Sequence, residues 1–300
     1  MHGTFYNEAF LEMSLEPVTP LLIKAGGEGW AALDPTIPDM NFVRTRRADG
    51  ELQVYIPGSS LRGVVRGYAE RLLRSVRMDL ACDPTRTRGG GGEIPAACFA
   101  GQDTTRWDGP TAYQRSCYAC RLFGNTALAG RVRVSDFHIQ GEPQLERRYG
   151  VAIDRVTGAV AQGPFELEVL TEGRFTGRLA VRNFTLGQLG LLAAALLDMG
   201  DGLVPLGFGK SRGLGRVRLT FHRFTVRTLQ DPQGHLRGVG YWAAGKEPRY
   251  PLPEAGKDQM AWDVPARRER GFYQAVVEED ARIRAILEAV AARWPGEVGA

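Results

Sequence analysis

The sequence predicts an α+β fold in which helices cover one face of an antiparallel sheet. Two observations lead there: apolar and polar residues alternate with period two in several separate runs, and a strand–helix–strand pattern occurs twice along the chain. A third sets the class boundaries. In 300 residues there are 38 Gly and 17 Pro, with 43% apolar and 24% charged residues, values of an ordinary turn-rich globular protein. The chain is long enough for a sizeable core, as one large domain or two small ones. These numbers exclude a coiled coil, a collagen-like rod and a mostly disordered chain.

Residues 10 to 23 open the fold as a half-buried strand, with Leu11, Met13 and Leu15 alternating with Glu12, Ser14 and Glu16. A loop without periodicity follows from Gly26 to Gly50, closing on the turn Ala48-Asp49-Gly50. Val54 to Ile56 is a short strand that runs through Pro57-Gly58-Ser59-Ser60 into a helix. Leu61, Val64, Val65, Tyr68, Leu72 and Leu73 recur there at helical spacing, and Ser59 or Ser60 is the expected cap. Arg62, Arg66, Arg71, Arg74 and Arg77 line the polar side of this helix, so positive side chains join the positive end of its dipole and suit a phosphate.

From Asp79 to Gly130 the periodicity collapses into an insertion with no core of its own, including the run Gly89 to Gly92. Alternation returns in Arg131 to Ile139 and in two strand-like runs between Phe165 and Phe184 that meet at a turn at Glu172-Gly173. Leu186 to Met199 is a second amphipathic helix, ended by Gly200 and Gly202. It is too short and too interrupted to cross a bilayer, and the N-terminal residues lack a basic region followed by an apolar one. A soluble, cytoplasmic protein is expected. Gly215 to Val226 is a long strand whose phase slips after His222-Arg223, the mark of a bulge. Residues 230 to 263 read as loop and 265 to 294 as a charged C-terminal helix.

The net charge is +4, a weak preference for an anionic partner. Its make-up says more. Of 38 basic residues 34 are Arg and only Lys24, Lys210, Lys246 and Lys257 are Lys, and the Arg fork grips phosphate bidentately and stacks on bases. High-GC codon usage accounts for part of that excess.

Cys82, Cys98, Cys117 and Cys120 all fall in the insertion that lacks a core. A CxxC knuckle with two further thiolates closes a tetrahedral zinc site, which supplies folding energy where apolar burial cannot. The alternative is four buried free thiols; a redox pair is disfavoured because the CxxC does not open a helix after a strand. Residues 206 to 216, Leu-Gly-Phe-Gly-Lys-Ser-Arg-Gly-Leu-Gly-Arg, combine four Gly with Lys210, Arg212 and Arg216. This is the composition of a loop that brings backbone N–H groups and cations to a phosphate backbone, and it matches neither a P-loop nor a dinucleotide fingerprint. A purely structural glycine hairpin is the bland alternative. The four His residues (His2, His138, His222, His235) are scattered and fit no hydrolase motif, and Asp34 and Asp39 stand out in the first loop.

Taken in order, Tyr55-Ile-Pro-Gly-Ser-Ser-Leu-Arg-Gly-Val-Val-Arg66, Cys117 to Asn125 with Gly130 to Asp136, Ile153-Asp-Arg-Val-Thr-Gly158 and the loop Gly207 to Gly215 resemble the RAMP superfamily of CRISPR-associated proteins. More narrowly, they resemble a backbone subunit of a type III CRISPR effector complex, an antiviral ribonucleoprotein. The resemblance spans about residues 10 to 227. It implies a modified RRM/ferredoxin-like fold over residues 1–230, with a zinc-bound insertion at 79–130, a thumb hairpin at 149–164 and a C-terminal loop and helix extension at 231–300. It further implies that Ser59, Ser60, Arg62, Arg66, Gly207, Gly209, Lys210, Ser211, Arg212 and Gly213 hold guide-RNA phosphates. The thumb residues Asp154, Arg155 and Thr157 would contact the guide–target duplex.

Target-cleaving members carry an Asp in the loop after the first strand. Asp39 is the position that fits here and Asp34 the reserve, with Met40-Asn41 standing where many members have Asn-Pro. The resemblance implies metal-assisted attack of the target 2′-hydroxyl on its own phosphate, with Mg²⁺ or another divalent cation, and with Arg44, Arg46 and Arg47 near the charge. Guide RNA, complementary target RNA, other effector subunits and further copies of the chain are the implied partners. A non-catalytic guide-RNA scaffold and a guide-processing endoribonuclease are the competing readings; the second normally needs a well-placed His. A generic RRM protein is disfavoured because the sequence has no aromatic stripe of that kind.

Overall fold

The computed structural model describes residues 3–26, 38, 40–46, 48, 50–86 and 92–299. Their architecture is α+β, and every pair of strands in it is antiparallel. In chain order the strands are β1 (Asn7–Pro17), β2 (Arg44–Arg46), β3 (Leu52–Ile56), β4 (Val132–Val134), β5 (Phe137–Ile153), β6 (Val160–Arg182), β7 (Val217–Thr228), β8 (His235–Arg237), β9 (Gln259–Ala261), β10 (Ala266–Glu269) and β11 (Phe272–Val277). The helices are α1 (Gly58–Val76), α2 (Gly109–Gln114), α3 (Tyr118–Phe123), α4 (Leu186–Gly200), α5 (Val239–Trp242), α6 (Asp280–Ala291) and α7 (Trp294–Val298). The main sheet runs β10-β11-β7-β1-β6-β5-β3-β2, with β4 also pairing β6, and β8-β9 forms a separate ribbon.

The first strand sits between β6 and β7 and sends Ala9, Leu11, Met13 and Leu15 into one core. That core also takes Leu61, Val65, Ala69 and Leu73 of α1, Leu189, Leu192 and Leu196 of α4, and Ile283, Leu287 and Val290 of α6. The helices therefore share one face of the sheet. β1 stops at Pro17, short of residue 23, because Pro17 and Pro20 interrupt the ladder; Leu21 then makes only an isolated bridge to Leu170. The bulge read from the phase slip is present: Glu12 pairs with Arg223 and Met13 with Phe221, so His222 is the extra residue.

Four sequence expectations are corrected. Neither Ser59 nor Ser60 caps α1. Pro57 holds the cap position, and Asp136, between β4 and β5, accepts from the Gly58 N–H at 2.8 Å. Glu172-Gly173 is not a turn, since β6 continues through it, with Gly173 at φ +153° where the pairing with β5 shifts register. The insertion is not wholly without a core, because Leu80, Ala81, Ala119, Leu122 and Phe123 pack into the main one.

The fourth concerns the C-terminal part, which is not a loop followed by one helix. Residues 266–277 form the hairpin β10-β11, which adds to β7, and the helix begins only at Asp280. Arg267, Arg268 and Glu269 obscure the strand signal, because an edge strand exposes most of its side chains. The extension shares the core and the sheet, so residues 231–300 are integral to the fold.

Two carboxylates from this C-terminal region close the N-terminus of α4. Leu186 N–H donates to Asp258 Oδ1 at 2.7 Å, and Gly187 N–H to Glu297 Oε2 at 2.8 Å. Gln188 N–H bonds the capping hydroxyl of Thr185 at 3.1 Å, so the orphan donors of the first turn are satisfied. Glu297 also accepts from Thr185 Oγ1 at 2.6 Å and Tyr118 Oη at 2.9 Å, tying in the insertion. Burial, with the nearby Glu297 charge adding to it, raises the Asp258 pKa from 3.8 to about 7 despite the N–H bonds from Leu186 and Gly240.

A folded-state pKa above the unfolded one means the folded chain binds more protons between the two values. This contribution to stability is therefore largest at low pH and is lost as pH rises from about 4 to 7. Urea denaturation across that range should show this decline in the wild type and its absence in Asp258→Asn. Asp258→Ala, which strands the buried N–H groups of Leu186 and Gly240, should lose about 2–3 kcal/mol near pH 4, a deficit that shrinks toward pH 7 as the wild type declines and the variant does not.

Candidate nucleic-acid groove and metal centre

Helix α1 has two working sides. On one, Ser59, Ser60, Gly63, Gly67, Tyr68 and Arg71 face the loop Leu203–Ser211 across a groove of about 880 Å³, which Lys24 also lines. Gly63 and Gly67 leave its floor open, with nothing within 4 Å of where a Cβ would stand. Tyr68 is fixed by its hydroxyl, which donates to Asp198 Oδ2 at 2.6 Å. Burial and this bond raise its pKa to about 12, and the Arg71 guanidinium lies 5.0 Å over the ring.

The facing loop depends on glycine. Gly207, Gly209, Gly213 and Gly215 all have φ between +72° and +89°. A Cβ on Gly207 would strike the Leu22 carbonyl oxygen, and one on Gly215 that of Leu206. Hydrogen bonds from Phe208 N–H to Leu22 O at 2.7 Å and from Gly215 N–H to Pro20 O at 2.9 Å pin both ends beside β1. Between them Lys210, Ser211 and Arg212 make one exposed 3₁₀ turn. Folding thus brings Ser59, Ser60, Gly207, Lys210 and Ser211 to one groove, as a phosphate track needs: cations, hydroxyls and backbone approachable without side-chain bulk. Arg212 lies at the loop's flank, 6.0 Å over the Phe165 ring. Arg71, one of the five helix arginines expected to suit a phosphate, lines the groove, whereas Lys24, Gly63, Gly67 and Tyr68 are groove residues that sequence reasoning did not assign. The spacing of Ser60, Gly63, Gly67 and Arg71 along α1 was the available signal.

The other side of α1 faces the insertion, and there the Arg residues turn inward. Arg66 pairs with the buried Glu70 at 2.7 Å, donates to Gly124 O at 3.1 Å and reaches Cys120 Sγ at 3.8 Å. Arg74 donates to Ala81 O at 2.9 Å and Cys82 O at 2.7 Å, and Arg62 donates to the carbonyls of Val132 and Phe123. Burial, and secondarily Arg66 beside it, lowers the Arg62 pKa. Arg62 and Arg66, expected at phosphates, are thus bound within the protein.

Beyond Arg66 the four cysteines meet. All four Sγ atoms lie within 4.8 Å of one another, and Cys82 and Cys120 are 3.6 Å apart. Backbone N–H groups point at the sulfurs, from Cys117 to Cys98 at 3.2 Å and from Cys120 to Cys117 at 3.4 Å. Bonds from the thiols of Cys120, Cys82 and Cys98 draw the Cys117 thiol far below its usual range, and bonding to Cys117 pushes Cys120 and Cys82 up. This group can hold a metal ion.

The remaining candidates fall elsewhere. Asp154 opens the tip of the long β5-β6 hairpin. Its Oδ1 accepts from Thr157 N–H at 2.7 Å and Val156 N–H at 2.8 Å, bonds that lower its pKa, so the carboxylate is occupied in shaping the turn. Arg155 and Thr157 are exposed at that tip. Asp34, Asp39 and Arg47 lie outside the described residues. The neighbours of Asp39 are placed: Pro38 is buried, and Met40 exchanges hydrogen bonds with Glu166 and Glu168 of β6 at 3.1 and 2.9 Å. Arg44 is held bidentately by Glu168 at 2.6 and 2.9 Å, and Arg46 donates to Gly50 O at 3.0 Å.

The groove's two glycine types should respond oppositely to alanine. Gly63→Ala should raise stability by up to ~1 kcal/mol through helix propensity, whereas Gly207→Ala, at positive φ and against the Leu22 carbonyl, should lower it by about 2 kcal/mol; equilibrium urea unfolding reads both.

No curated protein sequence matches the chain significantly. Among the described residues no helix is long and apolar enough to cross a membrane. The family model described as the RAMP superfamily matches residues 14–218, which take in the end of β1, all of α1, the cysteine centre, the long hairpin and the glycine-rich loop. With more than half of its length in that match, the chain belongs to the RAMP superfamily, whose members are CRISPR-associated RNA-binding proteins.

Proposed function

We propose that this protein is a guide-RNA-binding backbone subunit of a type III CRISPR effector complex. The observation that carries the reading is the groove in which Ser59, Ser60 and the open α1 surface meet Lys210 and Ser211. It would serve as a track for a sugar–phosphate backbone, with specificity coming from base pairing. Ser59, Ser60 and Ser211 would bond phosphate oxygens, and Lys24, Arg71 and Lys210 would neutralise them. Gly207, Gly209 and Gly213 would admit the backbone. The exposed tip of the β5-β6 hairpin, with Arg155 and Thr157, would meet the guide–target duplex of a neighbouring copy. The catalytic form of the proposal is favoured over a pure scaffold by Asp39, whose chain neighbour Met40 is hydrogen-bonded to Glu166 and Glu168 of that hairpin and whose neighbour Pro38 is buried.

In that form the target's 2′-hydroxyl loses its proton to Asp39 and attacks the adjacent phosphorus. The bond to the 5′-oxygen breaks and that oxygen takes a proton from water, giving a 2′,3′-cyclic phosphate and a 5′-hydroxyl, while Asp39 returns its proton to the solvent. Among the described residues no cluster of carboxylates offers a seat for Mg²⁺. The cysteine group fits zinc. Four sulfurs at 2.3 Å around Zn²⁺ stand roughly 3.8 Å apart, close to the 3.6 Å between Cys82 and Cys120. Zinc would neutralise the thiolates and hold the insertion against α1, with Arg66 offsetting the remaining negative charge.

Three measurements test this reading. Guide-loaded complex carrying Asp39→Ala should assemble normally and leave a labelled complementary RNA intact, with wild type run with Mg²⁺ and with EDTA. Cleavage by the mutant would move the chemistry to Asp34 or another subunit, and none by either protein would leave the scaffold. Lys210→Ala with Arg71→Ala should weaken binding of any guide sequence and reduce the slope of log K against log salt by roughly 1.4, at 0.7 per phosphate contact. Atomic emission should find one zinc per chain, and Cys120→Ser or chelation should lower the melting temperature by roughly 10 °C, equivalent to several kcal/mol.

A further inference from the structure

The face of the sheet turned away from the helices carries arginines that the fold itself does not use. Successive residues of a strand point to opposite faces, so with Leu11, Met13 and Leu15 in the core, Glu8, Phe10, Glu12, Ser14 and Glu16 lie on the other side. Register fixes their neighbours. Phe10 lies in a row with Ala180 of β6 and Arg133 of β4, Glu12 beside Arg178 of β6, and Glu16 beside Arg218 of β7. Tyr55 of β3 and His138 of β5 extend the Ser14 row through Thr176.

Some of the charge on this face is internally matched. Glu8 is bound by Arg182 at 3.1 Å and Arg227 at 3.6 Å, and Glu16 by Arg174 at 2.5 Å. Arg133, Arg178 and Arg218 are exposed and have no acidic partner among the described residues. Arg178 instead lies 5.0 Å over the Phe10 ring, and the Tyr55 and His138 rings are stacked with centroids 6.3 Å apart at 17°. Between these side chains the surface is flat and small, made of Ala180, Thr176 and Thr220, and beneath it the buried Ser14 hydroxyl has no hydrogen-bond partner.

We propose that this open face is a second binding surface for single-stranded RNA, separate from the groove on the helical side. The chemistry selects RNA over an acidic protein surface. Every unmatched cation is an arginine, the form that both bonds phosphate and stacks on bases, and flat aromatic rings stand among them, the combination that holds an unpaired strand without reading its sequence. Aromatics contributed singly by β1, β3 and β5 form no stripe in the sequence; only the strand register assembles them.

The test compares the full chain with two variants, using a fluorescent oligouridine as the probe. In the face variant (Arg133→Ala, Arg178→Ala, Arg218→Ala) affinity should fall at least tenfold and the salt slope by roughly 2, at 0.7 per lost contact. Ultraviolet crosslinking should attach uridine to peptides containing Phe10, Tyr55 or His138 in wild type and in the groove variant (Lys210→Ala, Arg71→Ala), and not in the face variant. Loss of those crosslinks in the groove variant as well would place all RNA in one site and overturn the proposal. So would wild-type affinity and slope in the face variant, or displacement of the probe by polyglutamate at the same charge concentration. Arg178→Lys, which keeps the charge but loses the planar fork over Phe10, should keep the salt slope and lose part of the affinity. A circular dichroism spectrum and melting temperature unchanged from wild type in the face variant exclude misfolding as the cause of a loss.

Discussion

Glu70 is buried between Arg66 and Arg74 on α1, and much of the molecule's arrangement follows from that contact. A buried carboxylate with one partner removed costs several kcal/mol, so the two arginines must stay turned toward it. So turned, they carry the rest of their donors to the insertion: Arg66 to Gly124 and Cys120, Arg74 to Ala81 and Cys82. The insertion's chain is thereby docked on α1 through hydrogen bonds to its carbonyls, next to Leu80, Ala81, Leu122 and Phe123, which it sends into the core. The opposite side of α1 is left free of these commitments, and there the groove forms.

This division of one helix explains why the cysteine group and the groove, different in chemistry, belong to one design. A metal held by Cys82, Cys98, Cys117 and Cys120 would fix the insertion, the insertion fixes the roll of α1, and the roll decides whether Ser59, Ser60 and Arg71 face Lys210. The tail acts on α4 in the same manner. Asp258 and Glu297 bind the N–H groups of its first turn, and Glu297 reaches Tyr118 beside the cysteines. Helix-terminus donors compensate part of the cost of burying these carboxylates, and that cost still leaves Asp258 titrating near neutrality.

Membership of the RAMP superfamily is consistent with this economy of parts. The match ends at residue 218, within β7, and leaves out β10, β11, α6 and α7. In this chain those elements are not an appendage. They complete the sheet beyond β7 and cover α4, so the fold that presents the groove includes them.

The alternation of β1 and β7, both long helices, the bulge at His222, the cysteine knuckle and the glycine-rich loop were legible in the sequence, because each rests on interactions between residues close in the chain. Period, turn chemistry and ligand spacing are local quantities. Only the tertiary structure decided what the arginines do. Arg62, Arg66, Arg71 and Arg74 are indistinguishable as letters on one helix. The partners that separate them are carbonyls, a sulfur and a ring, and for Arg62 and Arg66 most of these lie some 50 to 70 residues away. The same holds for the C-terminal hairpin, a strand pair only because β7 offers it an edge, and for the aromatics of the open face. A side chain's charge is written in the sequence, but what neutralises it depends on which distant backbone folding brings within hydrogen-bond reach.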